Sequence, residues 1–514
     1  MKKLLTLCLS AILLLTSIPL VSCDVGEEPP AVTESPNVTV VKDSVSEFKI
    51  VRSDTVDNNS PEKTASLNMR NIIRDATGVE LTRETDWYQR NDENAKKEAE
   101  AAKEILIGHT NRSATAEAIK DLKFNEFIIK VMGHKIVVCG ASEAGTLQAV
   151  EYFGANYVQQ GTTLELPKDL VYIGNVDFTV SPETNASYEA MGDKILKAYA
   201  KTYIDRQGKL IGTEFWDTAE ILEAFLDAYE QTEKKAYLDY AEDIALHHFQ
   251  SSNSRVNWCN SNAFNDDIAW MCIGFTRLYN FTGNENYLTI AKNNFDSMWK
   301  RAYSPDVLGG GLWWKDDQKN TKNSCIQCPA SIAACLIGKA TGDDSYYEKA
   351  KEVMEWEFEV LFEKSTGKVY DCKMTDGSFN YWASTYNQGT FVGACTLLHE
   401  KYGDDKYMEY AAKAVEYGMT KLDNKDGVLN GEASGADLIG FKAILTRWFY
   451  RYAIYTNDLD ILQWLQKNAD VAYSNRNSKD IIWTAWADKT AEQQYDPWGA
   501  SAAVALMFNC EQWW

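Results

Sequence analysis

The sequence predicts an all-α (α/α)6 toroid preceded by a small α/β domain, and three observations predict it. Beyond about residue 184 a unit recurs: Tyr237, Tyr287, Tyr346 and Tyr407 are each followed four residues on by Ala241, Ala291, Ala350 and Ala411. Residues at i and i+4 share one helical face, and repeats of 50, 59 and 61 residues hold two helices with two connections. The connections alternate in length. Short turns join 231 to 235, 281 to 286, 340 to 345, 401 to 406 and 455 to 458, whereas long loops cover 205–214, 252–264, 303–323, 363–384, 421–434 and 475–495. Six hairpins with every long loop at one end describe a closed ring. An open solenoid needs polar capping repeats, and the last helix (Ala500, Ala502, Ala503, Val504, Leu506, Met507) is apolar enough to be internal. The third observation is that residues from about 37 to 180 switch repeatedly between strand-like and helix-like patterns.

Taken in order, residues 1–22 read as a lipoprotein signal peptide. Lys2 and Lys3 precede an apolar run from Leu4 to Leu20, and Leu20-Val21-Ser22-Cys23 resembles a bacterial lipobox, with Cys23 as the lipidated mature N-terminus. A plain secretory signal is the alternative; the run is short for a membrane span. Residues 23–36 are polar and proline-containing, a tether. The α/β domain, 37–183, is expected to hold strands at 47–52, 104–108, 126–131, 135–139 and 170–174 and helices at 66–76 and 144–157, with Met132-Gly133-His134 as a hairpin turn. Its stretch from Phe127-Ile128-Ile129-Lys130 through Gly140 to Gly145 resembles the non-catalytic α/β domain ahead of the catalytic domain in several glycoside hydrolases. The domain is therefore expected to be accessory to a glycosidase. Residues 184–514 supply twelve helices: 186–204, 215–231, 235–251, 265–281, 286–302, 324–340, 345–362, 385–401, 406–420, 435–455, 458–474 and 496–512. Thr282-Gly283-Asn284-Glu285, Thr341-Gly342-Asp343-Asp344 and Tyr402-Gly403-Asp404-Asp405 separate successive hairpin arms, with Gly suited to a helix C-terminus and the acids to the next N-terminus.

Composition excludes some partners. The 514 residues carry a net charge of −22, so nucleic acid and anionic membrane surfaces are not expected to bind. The 16 Trp and 27 Tyr exceed what a core of this size requires, and such rings also stack on sugar faces. Outside the signal and Cys23, nine cysteines lack a zinc-like double pair. The lone Cys325-Ile326-Gln327-Cys328 reads as helix-packing thiols, with a disulfide as the alternative. Five His, two of them adjacent at 247–248, indicate no metal site, and no cofactor is expected.

The starts of the even-numbered helices gather at the long-loop end. They read Glu214-Phe215-Trp216-Asp217, Asn265-Asp266-Asp267, Asn323-Ser324, Tyr386-Asn387-Gln388-Gly389, Gly435-Ala436-Asp437 and Asp496-Pro497-Trp498-Gly499. Each alone suits a helix cap or a loop anchor; together they place polar and aromatic groups where loops build a cleft. Asp266-Asp267 is the pair of interest. Adjacent acids can split a glycosidic bond, one as nucleophile and one as proton donor, and they can equally serve a helix dipole. From these residues alone both readings stand.

The ordered blocks Asn265-Asp266-Asp267-Ile268-Ala269-Trp270, Gly309-Gly310-Gly311-Leu312-Trp313-Trp314, Lys322-Asn323, Thr385-Tyr386-Asn387-Gln388-Gly389, Phe441-Lys442-Ala443 with Arg447-Trp448, and Trp498 with Ala500-Ser501-Ala502 resemble glycoside hydrolase family 76, the α-1,6-mannanases, over about 190–514. The resemblance implies an (α/α)6 barrel and a retaining endo-α-1,6-mannanase acting on yeast-type mannan without a metal. It implies Asp266 as nucleophile and Asp267 as general acid/base. Substrate contacts are expected from Trp216, Asp217, Trp313, Trp314, Asn323, Tyr386, Asn387 and Gln388. Of the two adjacent tryptophans, following three glycines, one is expected to meet the sugar while the other can plug the barrel. Asn265 stands where the family often has Tyr, and Cys325 and Cys328 stand where small or apolar residues are expected. Other readings are a transglycosylase, a hydrolase of another α-mannoside, or an inactive surface glycan-binding lipoprotein. The expected partners are an α-mannan chain and the outer membrane through Cys23, with the protein a monomer on the surface or the periplasmic face.

Overall fold

The structure, a computed structural model, describes residues 36–56, 60–89, 92–123, 126–213, 215–250, 256–432 and 438–511. Cys23, the leader and nearly all of the tether lie outside the described residues, as do Glu214 and Gly435-Ala436-Asp437.

The first part is a six-stranded sheet in the order β3-β2-β4-β6-β5-β8, comprising β2 (Lys49–Arg52), β3 (Arg83–Thr85), β4 (Glu104–Ile107), β5 (Glu126–Met132), β6 (Lys135–Gly140) and β8 (Val171–Asn175). Strands β3, β2, β4 and β6 are parallel; β5 runs antiparallel to both β6 and β8. β1 (Asn37–Val41) and β7 (Leu164–Pro167) form a separate antiparallel pair. α1 (Pro61–Thr77) and α4 (Glu143–Tyr157) cover one face, over Ile50, Ile105 and Ile136; α3 (Ser113–Ile119) covers the other, over Val51, Leu106 and Val137. Burial on both faces is why these parallel strands read as unbroken apolar runs. α1 starts five residues before the sequence reading because Ser60 caps it, accepting the N–H of Glu62, with Pro61 in the first turn. β1, β3, β7, α2 (Glu93–Ala101) and the short α3 are not expected from the pattern; α2 buries no residue, so it has no apolar stripe to read.

The second part is the toroid. Its helices are α5 (Tyr188–Tyr203), α6 (Phe215–Thr232), α7 (Lys235–Ala245), α8 (Asn265–Thr282), α9 (Glu285–Ala302), α10 (Ser324–Thr341), α11 (Asp344–Val360), α12 (Thr385–Tyr402), α13 (Asp405–Lys421), α14 (Lys442–Thr456), α15 (Leu459–Ser474) and α16 (Pro497–Phe508). All twelve expected helices are present. The inner ring α6-α8-α10-α12-α14-α16 closes because α16 packs back on α6. Each inner helix pairs with one outer helix, α5 lying against α16. Inner helices are buried on nearly every side, as Cys325 through Cys335 on α10 illustrate, whereas outer helices bury one stripe.

The Tyr/Ala repeat is that stripe. Tyr237, Tyr287, Tyr346, Tyr407 and their four alanines are all buried. Three of the tyrosines also tie neighbouring outer helices: Tyr237 donates to Asp193, Tyr287 to Glu242 (3.1 Å) and Tyr346 to Asp296 (2.8 Å). Gly283, Gly342 and Gly403 end α8, α10 and α12 in the left-handed region. Two details depart from the sequence reading. The expected helix 235–251 ends in a wide π turn, Leu246–Gln250, and α14 begins at Lys442, after a short 3-10 turn at Leu438–Gly440. Strands do not vanish after 184 either: β9 (Thr321–Asn323), β10 (Phe362–Glu363), β11 (Lys368–Val369), β12 (Cys372–Met374) and β13 (Phe379–Asn380) stiffen the long loops, each too short to show alternation.

Candidate active site

The first turn of α8 carries Asn265, Asp266 and Asp267. Phe264 precedes the helix without a side-chain cap bond, and Asn265 anchors the turn to the loop facing it. Its N–H donates to the carbonyl of Trp314 and its Nδ2 to that of Trp313, both at 2.8 Å. Its Oδ1 accepts Arg301 Nε at 2.7 Å, and the same guanidinium holds the carbonyls of Cys259 and Asn262. A tyrosine could not make this two-ended amide bridge. The loop reaches α8 through Gly310 and Gly311, at φ of 125° and 83°, against the Trp356 ring.

Asp266 and Asp267 diverge from there, as successive helix residues must. Asp266 turns to α10 and the tryptophan loop: its Oδ2 accepts Trp314 Nε1 at 2.9 Å and the Cys325 thiol at 3.3 Å. Its Oδ1 is closed off from water without a hydrogen bond of ordinary geometry. Burial pushes this carboxyl up to about 6, against the pull of Cys325, Trp314 and the first-turn N–H groups. Asp267 turns to the loop before the helix, where its Oδ2 accepts Asn262 Nδ2 at 2.6 Å. The Asn262 amide cannot flip without loss, because its Oδ1 accepts the N–H of Phe264 at 2.8 Å.

An aromatic belt crosses the ring beside these acids. Trp270 of α8 lies 6.4 Å from Tyr386 of α12, which stacks on Phe441 at 3.9 Å; Phe441 lies 5.8 Å from Trp216 of α6, and Trp216 meets Trp498 of α16 edge-on at 5.1 Å. The Tyr386 hydroxyl is pushed well above its ordinary value by burial and by the nearby Cys325, Asp371 and Asp266. Asp217, one position along α6 from Trp216, is buried and accepts Thr218 Oγ1 at 3.4 Å.

The remaining expected contacts divide. Asn387 is fully buried with neither amide atom bonded, and Asn323, ahead of α10, has an unbonded buried Oδ1. Two expectations are corrected. Trp313 is buried beneath the Lys322 ammonium, 4.7 Å from its ring centre, and Lys322 is itself tied to the carbonyls of Ser304, Val307 and Gly310. Trp313 is the plug of the pair and Trp314 the one at the acids. Gln388 is consumed by structure: its Nε2 holds the carbonyls of Gly367 and Ala414, and its Oε1 accepts the N–H of Val369. It clamps the loop ahead of α12 rather than facing the cleft.

Four residues here escaped the sequence reading. Cys325 reads from its spacing as packing, and both thiols of the CxxC are free and buried; its place one residue into α10 is the signal that marks it. Asn262 lies in an irregular loop and offered none. Asp371, whose carboxyl is pushed up by burial, acts on both Cys325 and Tyr386. Glu432 accepts Thr385 Oγ1, Thr484 Oγ1 and the N–H of Lys442, and burial pushes it up to about 7.

The sequence model of glycosyl hydrolase family 76 matches residues 183–511. Mannan endo-1,6-alpha-mannosidase DCW1 of Candida albicans is 26% identical over 254 residues, 43% of this chain and 56% of that protein. Mannan endo-1,6-alpha-mannosidase DFG5 of Saccharomyces cerevisiae is 24% identical over 263 residues, 45% of this chain and again 56% of the relative. The chain thus spans little more than half the length of these yeast relatives. Among solved structures, the GH76A alpha-1,6-mannanase of a Salegentibacter species superposes with a TM-score of 0.58 at 26% identity, covering 63% of this chain and 98% of that one. A variant of the same enzyme described as inactive, with two consecutive aspartates changed to asparagine, is in complex with alpha-1,6-mannotriose and superposes with a TM-score of 0.57.

Proposed function

The chain belongs to glycosyl hydrolase family 76, and on that premise we propose that it is an endo-acting α-1,6-mannanase cutting the backbone of yeast-type mannan with retention. The observation that carries this reading is the first turn of α8. Two consecutive acids there are held by separate donors, Trp314 and Cys325 on Asp266 and Asn262 on Asp267, beside an aromatic belt. The inactive double variant of the Salegentibacter enzyme supports assigning the chemistry to such a pair.

In the proposed mechanism the sugar at the cleavage point rests over Tyr386 and Trp314. Asp266 attacks the anomeric carbon as the glycosidic C–O bond breaks, and Asp267 gives its proton to the departing oxygen. Asp267 then takes a proton from water as that water displaces Asp266, so the anomeric configuration is restored. Consecutive Cα atoms lie about 3.8 Å apart, which suits the roughly 5–5.5 Å carboxyl separation of retaining enzymes. A carboxyl at about 6 is ionised at neutral pH. The indole N–H, a donor only, bonds the ionised form and aims it. Desolvation keeps Asp266 less stabilised than in water, which favours its attack.

The same reading makes the protein an exported outer-membrane lipoprotein anchored at Cys23, with 37–183 as an accessory domain ahead of the 184–514 catalytic unit. Loss of membrane association in Cys23→Ala tests the anchor. The function is tested by incubating the protein with a panel of α-mannans of defined linkage and following reducing ends, with NMR of the first product for its anomer. Release from α-1,6-mannan with α-anomer formed first is expected. No release, release confined to other linkages, or a β-anomer first would contradict the proposal.

A further inference from the structure

We infer that the exposed rings of Tyr381 and Trp382 form an outer sugar-binding platform for the part of a neutral glycan chain that extends beyond the cleavage point. This rests on the functional reading above. The two residues stand on the 363–384 loop, 55% and 44% exposed, although most large aromatic side chains of the toroid are buried or half-buried. Isolated exposed rings need no explanation, but these are adjacent and are built into place. Tyr381 stacks on Phe379 at 5.4 Å and is propped edge-on by Tyr370 at 4.8 Å. The N–H of Trp382 donates to Asn380 Oδ1 at 3.1 Å, fixing the turn that presents the indole.

The platform is continuous with the candidate site. Asn380, which holds Trp382 through its Oδ1, donates through Nδ2 to Asp371 Oδ2 at 2.8 Å, and Asp371 acts electrostatically on Cys325 and Tyr386 beside Asp266. Strand pairing fixes the scale. Asn323 opposes Cys372, and Cys372 opposes Asn380, so Asn380 sits two strand spacings, about 10 Å, from the residue that opens α10. Trp382 is also only three residues before α12, so the rings stand on the rim between two inner helices whose starts line the cleft. Exposed aromatic rings at that distance suit the apolar faces of pyranose units in an extended chain. On a chain of net charge −22, an uncharged polyhydroxyl ligand meets no repulsion that an acidic partner would.

The test uses the full chain with Tyr381→Ala, Trp382→Ala and both together, each checked for an unchanged unfolding midpoint. KM is measured on polymeric α-1,6-mannan and on the shortest α-1,6-mannooligosaccharide that the protein cleaves. The double variant is expected to raise KM on the polymer about fivefold, equivalent to about 1 kcal/mol, with kcat and short-substrate kinetics unchanged; Trp382→Phe should restore most of the loss. Equal effects on both substrates, or none on either, would overturn the platform. If the unaltered protein cleaves no α-mannan, the functional reading fails by itself. Calorimetric titration of the double variant against the unaltered protein with polymeric mannan still decides the platform, equal affinities overturning it.

Discussion

The mouth of the toroid and its interior a few turns below hold their buried polar residues differently, the interior by ion pairs and the mouth largely without them. About 17 Å along α8 from Asp266, Arg277 pairs with Glu223, Asp227 and Glu230; across the ring, Arg447 of α14 pairs with Glu220 and Asp227, and Arg451 with Glu230. Three arginines face four acids, and burial beside Glu223 pushes Glu220 up to about 8, so a proton there evens the charge near neutral pH. Each of these side chains is held by at least one ion pair, with Glu220 Oε1, Arg447 Nη2 and Arg451 Nε buried without a hydrogen bond. At the mouth, Asp266 Oδ1, Asn323 Oδ1 and both amide atoms of Asn387 are buried and unbonded. Buried polar groups left without partners oppose stability. The interior network ties α6, α8 and α14 together through ion pairs, whereas at the mouth one whole amide, that of Asn387, is buried without a bond.

Mutations on either side sharpen or break that contrast. The largest effect belongs to the interior. Arg447→Met strands Asp227 and Glu220 in the core, and a loss of about 3–5 kcal/mol in unfolding free energy is expected by denaturant titration; a neutral result would mean that the ion pairs do not hold α14 against α6. Trp314→Phe comes next. It keeps the ring and removes the N–H that aims Asp266, so kcat/KM should fall about 10–100-fold while the unfolding midpoint stays. The acid limb of the pH profile, set near 6 by Asp266, should move upward because the ionised form has lost a donor.

Asn387→Ala should leave stability within about 1 kcal/mol, since no bond is broken, yet raise KM for mannan several-fold. An equal loss of stability would show that the amide is structural after all. The smallest expected change is for Cys325→Ser. A hydroxyl donates more strongly than a thiol, so the acid limb should shift downward by less than about one pH unit, and Cys325→Ala should shift it upward. Identical pH profiles for both variants would reduce the thiol to packing.

Much of this was legible in the sequence, and what was not has physical reasons. Period and loop length revealed the twelve helices because each outer helix must bury a Tyr/Ala stripe and each hairpin must return. The same rules located the mouth. They could not separate Trp313 from Trp314, neighbours that an extended loop sends to opposite sides, nor Asn387 from Gln388, neighbours that a helix turns 100° apart. They also could not find Cys325 or Asn262 as partners of the acids. The first contact spans 59 residues, and the second comes from a loop without period. The bond of Asn265 to its loop likewise explains a departure from the family pattern that sequence alone recorded without a cause.

The contrast between mouth and interior is tested most directly by measuring turnover and unfolding free energy together for Asp266→Asn. Burial holds the Asp266 carboxyl above its unfolded value of about 3.9, at about 6. Its charge therefore destabilises the fold increasingly as pH rises from about 4 to 6 and by a constant amount above that. Removing the charge is expected to raise stability at pH 7 by up to about 3 kcal/mol, with the gain vanishing near pH 4, while mannan hydrolysis falls by at least about 10³-fold. Retained hydrolysis, or a loss of stability like that expected for Arg447→Met, would contradict the account.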